Sequence, residues 1–225
     1  MRATVHVADI RVSSALATLR KAPSAATTPG LRQANVALAA PLTPRLRPSP
    51  QLGRVALIAF WDDDDAIDRF NDSPAAAKFV DGWHARLEPL RAHGTWPGLD
   101  TDISKSRAVT GVGPVVVLTL GRLRYARAVP FLRASAKAEG AAVQAAGLIW
   151  GTGLARPPFV ATCSLWESAN ASAEYAFGTA QLGHPEAINE GQAKPFHHQE
   201  AFIRFRPYAM RGALNGRNPL AAVAS

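Results

Sequence analysis

Cysteine and long apolar runs are nearly absent from this chain. Cys163 is the only cysteine among 225 residues, and it lies within an apolar stretch. A single thiol excludes a fold held by intrachain disulfides and suits a reducing compartment. We interpret Cys163 as a buried structural thiol. No apolar run approaches the roughly 18 residues of a membrane-spanning helix, and the N-terminus reads as a strand and not as a secretory signal. These features predict a soluble cytoplasmic protein.

Acidic residues are in the minority. The chain has 25 Lys and Arg against 17 Asp and Glu, for a formal net charge of +8. The basic residues are dispersed among alanine and proline, with neither a nucleic-acid-binding motif nor a basic stripe interleaved with aromatics. Nucleic acid is therefore not an expected partner. Two interpretations stay open: electrostatic association with an anionic membrane surface, and a basic protein with no charged partner.

Two common catalytic motifs are also missing. Gly151-Thr152-Gly153 lacks the third glycine that opens a helix in a dinucleotide-binding fingerprint. Ser164 and Ser168 have no nucleophile-elbow context, so a hydrolase triad is unsupported. Glycines within a strand more often permit close approach of backbone or ligand.

The chain contains an internal repeat. Residues 86–98 align without a gap on residues 204–216, and the apolar segment 55–62 matches 160–167, each closing on Trp and a carboxylate. Two matches in the same order predict a duplicated module of about 100 residues. The second copy is longer by 13 residues between these landmarks. This insertion, around residues 181–192, is a candidate carrier of function.

Each copy reads as β-α-β-β-α-β, the ferredoxin-like order. Two such units, each with a sheet face that needs cover, predict an α+β fold in which both pack as an α+β barrel. The expected halves are residues 1–99 and 114–220, with a linker at 100–113 and a tail at 221–225. Expected strands cover 4–10, 35–40, 54–61, 83–90, 115–124, a segment opening at 148, 159–166 and 200–208. Expected helices cover 13–20, 62–82, 126–146 and 167–177.

Histidines are the main candidates for chemistry. His184 lies in the insertion, and His197 and His198 precede the last strand; neither site has a counterpart in the first copy. An imidazole near an apolar barrel mouth suits a metal or haem-iron ligand, although a solvated or hydrogen-bonded side chain is the alternative for each. No cluster with structural-zinc spacing is evident. We interpret the acidic run 62–65 as a helix N-terminus, where carboxylates complement the helix dipole, and not as a metal site.

The aromatic residues allow two interpretations. Trp150 and Trp166 are core residues or walls of a site for a flat apolar ligand.

The second copy resembles the spheroidene monooxygenase family of carotenoid oxygenases. The similar stretches are 151–154, 160–166, Gly183-His184 with Ala187-Ile188, Arg204-Phe205, and 212–220. The resemblance covers residues 118–220 well and the first copy more loosely.

This resemblance implies a haem-dependent monooxygenase that adds a keto oxygen to an acyclic carotenoid, using dioxygen and a ferredoxin-type electron donor. It implies His184 as the haem-iron ligand, with His197 and His198 as fallbacks, and Trp150 and Trp166 as cofactor walls. Two alternatives stay open: a non-haem or cofactor-free monooxygenase or haem-degrading relative on the same barrel, and a non-catalytic binding protein for an apolar ligand.

Overall fold

A computed structural model describes residues 1–45, 51–106, 112–178, 195–214, 216 and 218–219. Within these residues the chain forms eight strands and four α-helices. The strands are β1 (Arg2–Asp9), β2 (Leu31–Pro41), β3 (Arg54–Trp61), β4 (Trp83–Gly94), β5 (Val115–Leu123), β6 (Leu148–Arg156), β7 (Phe159–Trp166) and β8 (His197–Arg211). The helices are α1 (Val12–Arg20), α2 (Asp64–Asn71), α3 (Ala128–Gln144) and α4 (Ala169–Phe177).

The eight strands close into one antiparallel barrel in the order β1-β3-β2-β6-β7-β5-β8-β4. The first half, β1 to β4, runs β4-β1-β3-β2 across the sheet, and the second half, β5 to β8, runs β8-β5-β7-β6. The halves join where β2 pairs with β6 and β4 pairs with β8. Closure leaves no unpaired strand edge in the barrel.

The strand register relates the two halves residue by residue. Trp61 ends β3 opposite Arg2 of β1, and Trp166 ends β7 opposite Val115 of β5. Each indole N–H donates to a hydroxyl oxygen, of Thr4 at 2.9 Å and of Ser164 at 2.8 Å. The two tryptophans therefore occupy corresponding positions on the third strand of each half.

The sequence-based element bounds differ from the structure at strand ends and in the segment 62–82. The helix expected there, with a break at Pro74, is an α-helix only over Asp64–Asn71, and a single 3-10 turn, Ala77–Phe79, follows. β6 continues through Gly151 and Gly153 to Arg156, and β8 begins at His197, three residues before its expected start. The expected linker lies partly beside β4, since Ala92 N–H donates to the Ser104 carbonyl at 3.0 Å. Hydrogen bonding to neighbouring strands lengthens these strands into segments whose own composition is polar or glycine-rich.

The barrel interior is a packed apolar core. Side chains alternate across each strand, so every second residue points inward. The inward aromatic residues that fill it are Phe60, Trp83, Trp96, Phe159 and Phe205. Cys163 joins this core, fully buried, and burial raises the pKa of its thiol to about 12. The interpretation of Cys163 as a structural thiol is confirmed.

The helices cover the outside of the barrel. The α2 helix begins where the acidic run was expected to start one: Asp63 is the N-cap, and its side chain accepts the Ala66 N–H at 2.8 Å. Ser168 caps α4 in the same way, accepting from Ala171 N–H at 3.1 Å. In the described part of the chain, no helix is long and apolar enough to cross a membrane.

Candidate functional site

The outer face of the first half is sealed. His6 on β1 and Leu57 on β3 stand opposite each other there, with 2% and 0% of their surfaces exposed. Phe70 of α2 and Phe79 of the following turn pack against the His6 ring at centroid distances of 5.9 and 5.8 Å. Large side chains on strand and helix thus fill this layer.

The outer face of the second half is less filled. Thr119 on β5 pairs with Thr162 on β7, in the register that His6 and Leu57 have in the first half. Both threonines are half-buried, as is the neighbouring Val160. Smaller, partly exposed threonine side chains thus stand where the first half has a fully buried imidazole and isobutyl group. This layer, lined by threonine hydroxyls and valine, is the candidate functional site.

Both halves have an aromatic pair between the helix and the end of the third strand. Tyr175 of α4 stacks on Trp166 with ring centroids 5.0 Å apart, and the Phe70 ring of α2 is tilted against Trp61 at 5.0 Å. The Tyr175 hydroxyl donates to the Ala138 carbonyl of α3 at 2.9 Å. This bond ties the two helices of the second half together and fixes their spacing over the sheet.

The β6 side of the site is closed by the segment that follows β2. A Cβ added to Gly151 would lie 2.5 Å from Leu42 Cδ1, so the leucine occupies the space above this glycine. A Cβ on Gly153 would lie 3.7 Å from Glu139 Oε1. Gly151 therefore permits a close approach by Leu42, whereas Gly153 is at an ordinary contact distance from Glu139.

Glu139 brings a carboxyl group into the layer from α3. Its Oε2 accepts the Thr43 backbone N–H at 2.9 Å, and its Oε1 accepts from the Ser135 hydroxyl at 3.3 Å. Burial raises the pKa of the Glu139 carboxyl, and these two hydrogen bonds oppose the rise. Sequence reasoning did not single out Glu139. The available signal was one acid on an alanine-rich helix, a pattern that many solvated acids share.

The predicted site residues fall in different places. His184 lies outside the described residues. Trp150 points into the barrel, 5.2 Å from Trp83, whereas Trp166 lies on the outer face under α4. The two tryptophans are thus on opposite faces of the sheet and do not line one cavity.

His197 lies at the edge of the outer face, and His198 is exposed. The His197 ring packs over Gly121, where an added Cβ would lie 2.6 Å from its Nε2. Its Nδ1 lies 3.0 Å from Glu200 Oε2, and its ring is 5.2 Å from that of Phe131.

Axial ligation of a haem needs a ring nitrogen that opens into an apolar enclosure. His197 Nε2 is enclosed against Gly121. Of the other four, His6 and His84 are buried and paired with each other, and His93 and His198 are exposed. Across the described ranges, no three His, Cys, Asp or Glu residues are grouped to hold a metal ion.

No protein-family model matches the chain, and no curated protein matches it significantly. Similar solved structures include the aldoxime dehydratase OxdRE in complex with butyraldoxime (TM-score 0.49, 8% identity, covering 92% of this chain and 79% of that one). Another is a haem-degrading enzyme from Listeria monocytogenes (0.31, 13%, 89% and 98%). A third, also from Listeria monocytogenes, is an uncharacterised ferredoxin-fold protein related to antibiotic biosynthesis monooxygenases (0.31, 15%, 92% and 95%). Likenesses at this level assign neither activity nor ligand to this chain.

Proposed function

We propose that this chain is a monooxygenase-type enzyme that binds an apolar small molecule between the helices and the sheet of its second half. We also propose that its two halves are duplicated ferredoxin-like units, spanning residues 1–99 and 114–220. The observation that carries the functional proposal is the contrast between the sealed face at Leu57 and the half-buried face at Thr162. The sequence resemblance supports the reaction class.

The lining of the second face suits an apolar substrate with one or two polar groups. Valine and the aromatic pair Trp166–Tyr175 supply apolar surface, while threonine hydroxyls and Glu139 supply hydrogen-bonding groups. Sites for small molecules combine an apolar lining with a few placed polar groups in this way. We propose that Glu139, held by Thr43 and Ser135, exchanges a proton with a bound substrate.

We keep haem dependence in the proposal because His184 is the expected iron ligand. Each described histidine is enclosed, paired with another histidine or exposed at the surface, so no reaction step is assigned through the group. If haem binds, it supplies the oxygen chemistry, and the chain supplies ligation and an apolar enclosure. The acyclic carotenoid substrate, the ferredoxin-type donor, the anionic membrane surface and the cytoplasmic location remain predictions of the sequence.

The test places a larger side chain in the half-buried layer at Thr162. Thr162→Leu installs the side chain that Leu57 has in the first half, and the exposed Thr101→Leu is the matched control. The protein is incubated with lycopene in detergent, dioxygen and reduced ferredoxin, with and without haemin, and products are analysed by mass spectrometry. We expect oxygenated product from the wild type and Thr101→Leu, and little from Thr162→Leu. Lycopene binding without oxidation would favour the binding-protein alternative, and equal turnover by Thr162→Leu would reject the site.

A further inference from the structure

Arg86 and Arg204 occupy corresponding positions in the two halves. Arg86 of β4 pairs with Thr4 of β1, and Arg204 of β8 pairs with Val117 of β5. The ungapped repeat of the sequence aligns the same two arginines. Both side chains lie on the outer face of the barrel, since their strand neighbours Ala85, Leu87, Ile203 and Phe205 belong to the interior core.

Arg86 is neutralised by its helix. Its guanidinium forms ion pairs with Asp64, at 3.3 Å, and with Asp68, both on α2. These acids lie one helical turn apart, so they present two carboxylates on one side of α2.

Among the described residues, Arg204 has no carboxylate partner. Counting from the N-caps Asp63 and Ser168, the residues of α4 that correspond to Asp64 and Asp68 are Ala169 and Ala173. The one acid of α4, Glu174, is exposed and lies against Gly178, where an added Cβ would be 2.1 Å from its Oε1.

The surroundings of Arg204 disfavour an unpaired cation. Its side chain is half-buried, and its Nε is enclosed with no hydrogen-bond partner in the described structure. Burial lowers the pKa of its guanidinium, and the adjacent Arg91 lowers it further. Partial burial of an unpaired charge has a cost that a neighbouring anion would offset.

The α4 helix sits over the sheet as α2 does, because Tyr175 lies on Trp166 where Phe70 lies on Trp61. Ala173 therefore stands where Asp68 supplies its carboxylate to Arg86. An open depression beside Ala173 is lined by residues of α4 and Gly178, including the acid Glu174, and not by β8. A ligand carboxylate on the Arg204 side of Ala173 would replace the missing side chain.

We propose that Arg204, with Ala173 beside it, forms a carboxylate-binding subsite that anchors the anionic end of an apolar ligand. A planar guanidinium suits a carboxylate because it can donate two parallel hydrogen bonds. The carboxylate comes from an apolar acid or from a haem propionate. The inference rests on the proposed function for its biological use, but binding alone tests it.

The experiment uses the full chain and calorimetric titration at neutral pH. The probes are decanoate against decanol, and haemin against haemin dimethyl ester. Arg204→Met should weaken binding of a carboxylate probe by about tenfold or more and leave its neutral analogue unchanged. Arg206→Met, exposed on the same strand, is the control.

A second variant supplies the missing acid. Ala173→Asp should give Arg204 an internal partner and weaken carboxylate binding similarly, whereas Ala26→Asp, with the same added charge in an exposed turn of the first half, should not. A loss seen with decanoate identifies an apolar acid, and a loss confined to haemin identifies a propionate. Wild-type affinity in Arg204→Met or Ala173→Asp, or no carboxylate binding by the wild type, would overturn the proposal. Carboxylate binding that depends on Arg204 without turnover would reject the oxygenase and keep the subsite.

Discussion

His6 and His84 face each other across β1 and β4 with their Nδ1 atoms 2.6 Å apart. One ring must donate and the other accept, so the accepting imidazole must be neutral and the pair cannot form when both rings are protonated. Burial lowers the pKa of His6 to about 3, with further lowering by His84, Arg211 and Arg86. Burial also lowers the pKa of His84, and Arg211 adds to that effect.

The first prediction is that this pair makes the fold sensitive to acid. Between pH 6.5, the ordinary value for His6, and about 3, the unfolded chain binds a proton that the native chain does not. Stability should therefore fall as pH is lowered through this window, by about 2 kcal/mol for His6 between pH 6.5 and 5. Urea unfolding at several pH values measures the slope. His6→Leu should flatten it and the exposed His198→Asn should not; a slope unchanged by His6→Leu would contradict the assignment.

The second prediction concerns the unequal filling of the two outer faces. Leu57→Thr should destabilise the protein by about 2–4 kcal/mol, because it removes buried apolar volume and places a hydroxyl in a sealed layer. The reciprocal Thr162→Leu should cost less than about 1 kcal/mol or stabilise, because it enters a half-buried layer. Calorimetric unfolding of both variants checks this. Equal costs would show that the second layer is as tightly packed as the first.

The third prediction concerns Glu139. A carboxyl group whose pKa is raised in the native state binds more protons there than when unfolded, so its contribution to stability falls as pH rises above its ordinary value of 4.5. Glu139→Gln keeps an acceptor for the Thr43 N–H and removes the titration. Its stability relative to the wild type should rise from pH 5 to pH 8, with the exposed Glu174→Gln as control. A constant difference across that range would argue against the buried carboxyl.

The fourth prediction concerns haem. If haemin binds, His184→Ala should abolish the Soret band of the reconstituted protein while circular dichroism stays unchanged. His197→Ala should keep the band, because His197 Nε2 is enclosed against Gly121. Retention of the band in His184→Ala, with its loss in His197→Ala or His198→Ala, would move the ligand to the start of β8.

The sequence predicted more of the fold than of the candidate site. The strand-Trp-acid match and the Arg-Pro match carry information about register, and β3, β7, Trp61 and Trp166 occupy the positions that the repeat indicated. The candidate site is recognised from smaller side chains on the second outer face and from acids that the first half has beside Arg86 and α4 lacks. In the sequence alone, nothing distinguishes Thr162, Glu139 and Arg204 from other residues of their kind. They stand out when Thr162 is compared with Leu57, when the hydrogen bond from Thr43 to Glu139 is seen, and when α4 is found to have no acid equivalent to Asp68.

Local periodicity and the repeat by themselves determined the alternation of strands and helices, the helix start at Asp63 and the buried state of Cys163. These features follow from side-chain alternation, capping and hydrophobicity, all of which act between near neighbours in sequence. Only the tertiary structure decided that Trp150 and Trp166 point to opposite faces, that His6 meets His84, and that Arg204 lacks the acids that Arg86 has. Such relations join residues of separate strands and helices, and they are set when the barrel closes and each face meets its covering helix.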